Sequence, residues 1–211
     1  MQKQNGMSIL ISRIILAASV LLLAGCQLAD ISISNSLFAS APMSSGKLAG
    51  GVIVQAPEGY CLDQSSTRRG VTRTGLVFAS CVRLQGSNEF DPTYGHVLTV
   101  TNAGPKIDLS VLSGYIKSAA GRAALSDDDQ STGIVIHETK VTRNAVYVEY
   151  TDAARPVHLG QRGWKAFVVV ADKLVLLGIY AGVGVTVSGI DGEETLRKFA
   201  QLILMEAKKF I

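Results

Sequence analysis

Trp164-Lys165-Ala166-Phe167-Val168-Val169-Val170-Ala171-Asp172-Lys173-Leu174-Val175-Leu176-Leu177-Gly178-Ile179-Tyr180-Ala181 is the stretch that decides the fold. Two apolar runs flank the polar pair Asp172-Lys173, and a turn that short makes an antiparallel hairpin. Phe167 to Val170 and Leu174 to Leu177 are apolar at successive positions. Successive strand side chains point to opposite faces, so both strands are expected at the centre of a sheet covered on both sides. A cover follows directly. Asp191 with Glu194 three residues on has the form of a capping box opening a helix over 192–210. Leu196, Phe199, Ile203, Ala207 and Phe210 share one face of it, while Glu193–Arg197 and Glu194–Lys198 stand i,i+4 on the other.

Working outward, Ile134–Thr142 and Ala145–Thr151 read as a second hairpin around Arg143-Asn144, with period-two alternation in Val146, Val148 and Tyr150. Val52–Val54, Gly75–Val82 and Val97–Thr101 are earlier strands, the last stopped by Asn102-Ala103-Gly104-Pro105. Asp108 caps a helix whose Leu109, Leu112, Ile116 and Ala119 fall on one face before Gly121. The expected class is α+β: a mostly antiparallel sheet of about six or seven strands under two helices, about 108–121 and 191–210.

The N-terminus is of another kind. Its first 26 residues hold 16 apolar side chains, Lys3 and Arg13, and no acid. The apolar run Ile14–Leu23 is ten residues long, interrupted by Ser19, about half of what a helix needs to span a bilayer. A charged start, a short apolar run and small residues make a secretory signal rather than a membrane span. Leu23-Ala24-Gly25-Cys26 follows, and the whole segment resembles a bacterial lipoprotein signal with its lipobox. The resemblance implies that Cys26 carries the lipid and becomes the mature N-terminus, so that the membrane is a partner through a lipid anchor. Gln27 stands where an aspartate would resemble an inner-membrane retention signal, which favours the periplasmic face of the outer membrane. Residues 27–48 hold six serines and only Asp30 and Lys47 as charges. They read as a flexible tether reaching about 25 Å, ahead of a single domain over 49–211.

Removing the signal leaves 18 basic and 17 acidic side chains. That balance excludes a polyanion-binding surface of the kind that holds nucleic acid.

The order of elements also resembles the PsbP-like α/β fold of some small bacterial envelope lipoproteins. Gln55-Ala56-Pro57-Glu58-Gly59-Tyr60, the Asp108 helix, and the Trp164 hairpin leading into the Asp191 helix carry it. That family brings no catalytic motif, and its members act mainly as binding or assembly factors. Gly59-Tyr60-Cys61-Leu62-Asp63 and Ala79-Ser80-Cys81 are similar to segments of alphaproteobacterial envelope proteins, a likeness that carries no function.

Few residues suggest chemistry. Cys61 and Cys81 are an even pair once Cys26 is lipidated, and in an oxidising compartment they read as a disulfide. Arg68, Arg69 and Arg73 between them form a cationic tip or a solvated loop. Asp127, Asp129 and Glu138 stand at positions 1, 3 and 12 of a calcium-loop count, but Thr132 occupies the glycine position. An acidic turn explains them more simply. His96, His137 and His158 have no paired metal-ligand spacing, and no G-x-S-x-G is present. No catalytic residue, cofactor or metal is therefore expected. The expected function is a non-enzymatic adaptor or assembly module for an envelope protein or glycan. The alternatives are a hydrolase built on converging His96, His137 and His158, and a carrier with a deep apolar cavity between sheet and last helix.

Overall fold

In the computed structural model the described residues are 43–69, 74–87, 95–126, 130–155, 160–181 and 189–209. Cys26, the signal and the tether up to residue 42 lie outside them. The strands are β1 (Ser45–Lys47), β2 (Ile53–Gln55), β3 (Tyr60–Leu62), β4 (Arg68–Arg69), β5 (Thr74–Ser80), β6 (His96–Pro105), β7 (Ile134–Val141), β8 (Ala145–Asp152), β9 (Arg162–Val170) and β10 (Lys173–Ala181). The helices are α1 (Cys81–Leu84), α2 (Leu109–Lys117), α3 (Ala119–Ala123) and α4 (Gly189–Lys208).

The main sheet runs β3-β5-β6-β10-β9-β8-β7, with β4 paired to β5, and every pairing is antiparallel. The fold is α+β, and β9 and β10 do sit at the centre of the sheet. After β6 the chain leaves through α2 and α3 and starts again at the far edge with β7. Three hairpin steps then bring β10 back against β6.

Alternation along the strands divides the core in two. Trp164, Ala166, Val168 and Val170 of β9 and Val175, Leu177 and Ile179 of β10 face α4, whose Leu196, Phe199 and Ile203 are completely buried against them. Val146, Val148 and Tyr150 of β8 face the other way, with Leu112 and Ile116 of α2 and with Leu125. Each fully buried aliphatic or aromatic side chain stabilises by about 1.5–3 kcal/mol, so the continuous apolar runs read from the sequence are what hold both layers.

Several boundaries differ from the sequence reading, each for a local reason. The helix expected over 108–121 is broken at Ser118. Asp108 caps α2 as expected, its carboxylate accepting from the backbone N–H of Ser110 (2.7 Å) and Val111 (3.1 Å). Ser118 then leaves helical geometry (ψ 166°) and its hydroxyl accepts from Gly121 N–H at 3.1 Å, starting α3 afresh. The kink draws Gly121 so close to α2 that a Cβ there would lie 2.0 Å from the Tyr115 carbonyl oxygen. Helix α4 begins at Gly189, so Asp191 lies in the first turn instead of capping it, where its charge still complements the helix dipole. Phe210 falls outside the described residues. The β9–β10 turn is Ala171-Asp172, because Lys173 pairs with Val170. Ala171 takes a left-handed φ of 54°.

The tether assigned to 27–48 is too long at its C-terminal end. Ser45–Lys47 form β1, paired with β2 in a separate two-stranded sheet, and Leu48 is buried. The Met43 carbonyl accepts from Leu62 N–H at 2.7 Å. Backbone pairing with Ile53–Gln55 orders a segment whose serine-rich composition alone reads as coil.

Candidate functional site

One end of the sheet gathers most of the polar chemistry. There β5, β8 and β10 end, while β3, β6, β7 and β9 begin. Helix α4 also starts after β10. On the α2 side of this end lie three buried ionisable side chains, Arg155 (2% exposed), Asp152 and Lys165, and Glu149 is buried on the opposite face. The Arg155 guanidinium lies 5.5 Å from the ring centroid of Tyr150 and 4.8 Å from that of Tyr180. It donates to the Tyr150 hydroxyl at 2.8 Å and to the Gly160 carbonyl at 3.4 Å. Gly163 makes the room, since a Cβ there would lie 2.9 Å from Arg155 Nη1. Lys165 Nζ donates to the Leu125 carbonyl at 2.8 Å and lies 5.3 Å from the Tyr150 ring centroid. The Asp152 carboxylate accepts from Ala154 N–H at 2.9 Å and from the Ser126 hydroxyl. Buried charges need partners of this kind. Here they bind the loop after β8 and the end of α3 to the sheet.

The α4 side of the same end is apolar apart from a few polar groups. His96 pairs across from Ala181 at the start of β6 and is 7% exposed. Both of its ring nitrogens, and Trp164 Nε1, are buried with no hydrogen-bond partner among the described residues. Burial pushes the His96 imidazole below its ordinary value, and the nearby Asp191 charge pulls the other way. Glu149 and Arg162 form an ion pair and hydrogen bond across β8 and β9.

A second polar assembly ties the far strand to α4. Lys140 bridges Glu138 at 3.0 Å and Glu193 at 2.7 Å, and Arg197 closes on Glu193 at 2.6 Å. Burial raises the Glu193 carboxyl, but hydrogen bonds from Lys140 and Arg197 outweigh it and hold the group below its ordinary value. A bulge at His137 makes the bridge possible: Ile136 pairs with Tyr150 and Glu138 with Glu149, leaving His137 as the extra residue.

Two of the concavities among the described residues lie at the rim of the sheet. The first, of about 390 Å³, lies at the turn end among Lys47, Gly50–Ile53, Val170–Lys173, Glu206 and Ala207. The second, of about 690 Å³, runs along β7 from Ile134 to Thr139 beneath Lys117, Arg122, Ser131 and Thr132.

The residues singled out from the sequence fall as follows. Cys61 and Cys81 form the expected disulfide, with Cα atoms 4.8 Å apart, joining β3 to the first residue of α1. Arg68 and Arg69 lie in β4, while Arg73 is outside the described residues. So are Asp127–Asp129 and His158. Glu138, the twelfth position of the calcium count, is engaged by Lys140. His96 and His137 lie on β6 and β7, four strand steps apart, which is about 19 Å. His137 also bonds Thr151 Oγ1 at 2.7 Å. The converging three-histidine centre is not assembled, and the hydrolase alternative loses its metal site. Leu196, Phe199 and Ile203 fill the middle of the space between sheet and α4, so the concavity that touches that helix lies at its C-terminal end, at Glu206 and Ala207.

The sequence reading missed Tyr150, Asp152, Arg155, Lys165 and Tyr180 as a group, and Lys117 and Arg122 as the wall of the β7 groove. Lys165 offered the one usable signal, a charge inside the apolar run Trp164–Val170. Among the described residues no helix is long and apolar enough to cross a membrane. No protein-family model, no curated protein and no solved structure matches this chain.

Proposed function

We propose that this chain is a non-enzymatic lipoprotein, held through Cys26 on the periplasmic face of the outer membrane, whose domain binds an envelope protein as an adaptor or assembly factor. The ordered signal elements ending in Leu23-Ala24-Gly25-Cys26 support the anchor. The Cys61–Cys81 bridge fits an exported domain. The observation that carries the binding reading is the groove of about 690 Å³ along β7, an uncovered edge strand on an otherwise filled core. Grooves of this size with convergent polar groups are where binding surfaces form.

Palmitate labelling of the wild-type chain and of Cys26→Ser tests the anchor: the label is expected on the first and absent from the second. Unchanged labelling refutes it. Crosslinking of the native lipoprotein in its own envelope tests the adaptor role, with one dominant stoichiometric partner expected. Only random neighbours in proportion to their abundance would refute it.

A further inference from the structure

We infer that the outer edge of β7 at Ile134–Ile136 is a docking edge for an extended, acidic segment of a partner protein, which joins the sheet as an additional strand. This rests on the binding-module reading and specifies its surface. Among the described residues β7 is the terminal strand of the sheet and pairs on one side only, with β8. Ile134 N–H on its other side is taken by the Ser131 carbonyl at 3.3 Å; beyond that bond the edge offers backbone donors and acceptors of the kind that peptide strands complete. Natural sheets blunt such edges with bulges and charges. In β7 the bulge at His137 and the Lys140 bridge protect the second half of the strand. The first half has neither.

Its side chains define the occupant. Ile134 and Ile136 pack in the α2-side cluster, so Val135 between them points to the opposite face, where it is 55% exposed. Over the α2 side stand Lys117 and Arg122, neither of which forms an ion pair among the described residues. Arg122 is held in place, donating from Nη1 to the Lys117 carbonyl at 2.7 Å. The groove's acid, Glu138, is taken up by Lys140. A strand laid along Ile134–Ile136 therefore meets two cations on one face and an exposed valine on the other. The complementary peptide alternates acidic and apolar side chains. A glycan would match the cations but neither the backbone ladder nor Val135.

The test uses the full-length chain in detergent micelles with two synthetic probes, a peptide alternating glutamate with valine and its lysine–valine counterpart. Hydrogen exchange is expected to slow at 134–136 with the acidic peptide and not with the basic one. Charge reversal by Lys117→Glu with Arg122→Glu should weaken binding about tenfold, and added salt should weaken binding to the wild type. Equal binding of both peptides, protection elsewhere than β7, or no protection overturns the proposal. So does protection of β7 by protein concentration alone, which would mark a second copy as the occupant. If envelope crosslinking captures a partner while the acidic peptide leaves β7 unprotected, the adaptor reading stands and this inference falls.

Discussion

The two faces of the sheet are closed by different means. On one, α4 lays Leu196, Phe199, Ala200 and Ile203 over a largely apolar surface, with Phe78 and Phe199 edge to face at 5.7 Å. On the other, α2 and α3 contribute only Leu112 and Ile116 to the buried cluster, and buried Arg155, Lys165 and Asp152 complete the closure. A twenty-residue amphipathic helix can seal a face with hydrocarbon. Two short helices broken at Ser118 cannot, and their ends are fastened by long polar side chains reaching backbone groups.

The largest effect should come from the hydrocarbon face. Phe199→Ala is expected to cost about 3–5 kcal/mol in denaturant unfolding, because α4 cannot collapse into the void without losing its Lys140–Glu193 bridge. Ile116→Ala should cost less, since α2 ends one residue later and has freedom to shift. Equal losses would break the contrast. On the polar face, Arg155→Ala is expected to cost roughly 2–4 kcal/mol. Arg155→Lys should recover little of it, because an ammonium cannot stack flat between Tyr150 and Tyr180. Full recovery by lysine would show that charge alone suffices.

A smaller effect should appear in pH. His96 is buried neutral, its value lowered by burial against the opposing pull of Asp191. The unfolded chain therefore takes up the proton first, near the ordinary value of 6.5. Stability is full above that pH and declines as pH falls toward the folded-state value. Unfolding midpoints between about pH 7.5 and 5.5 should decline in the wild type and flatten in His96→Phe; parallel profiles would assign the decline to other groups. The smallest effect is Ala171→Gly at the β9–β10 turn, expected to stabilise by about 0.5–1 kcal/mol through relief of the left-handed φ. Destabilisation there would mean the turn's methyl group is needed for packing.

These contrasts also mark what was legible beforehand. The Trp164–Ala181 hairpin and the α4 stripe could be read because burial imposes a period on apolar residues, and that period survives in the sequence. The break at Ser118 could not, because Leu109, Leu112, Ile116 and Ala119 keep helical spacing straight through it. The disulfide was readable from number and compartment. The Arg155 cluster was not, because its members come from separate strands and loops, and an arginine in Ala154-Arg155-Pro156 looks solvated until the register puts Gly163 beneath it. The β7 groove was hidden for a similar reason: Lys117 and Arg122 come over β7 only once the chain has crossed the sheet.

The two margins of the described sheet are not equally open to a further strand. At one margin the strands are β3 and β4, of three and two residues, and the Met43 carbonyl already occupies Leu62 N–H. At the other, β7 is eight residues long. The few residues through which the chain enters the described domain thus shield the short margin from a further strand, and the long margin at β7 is the one left to the proposed partner.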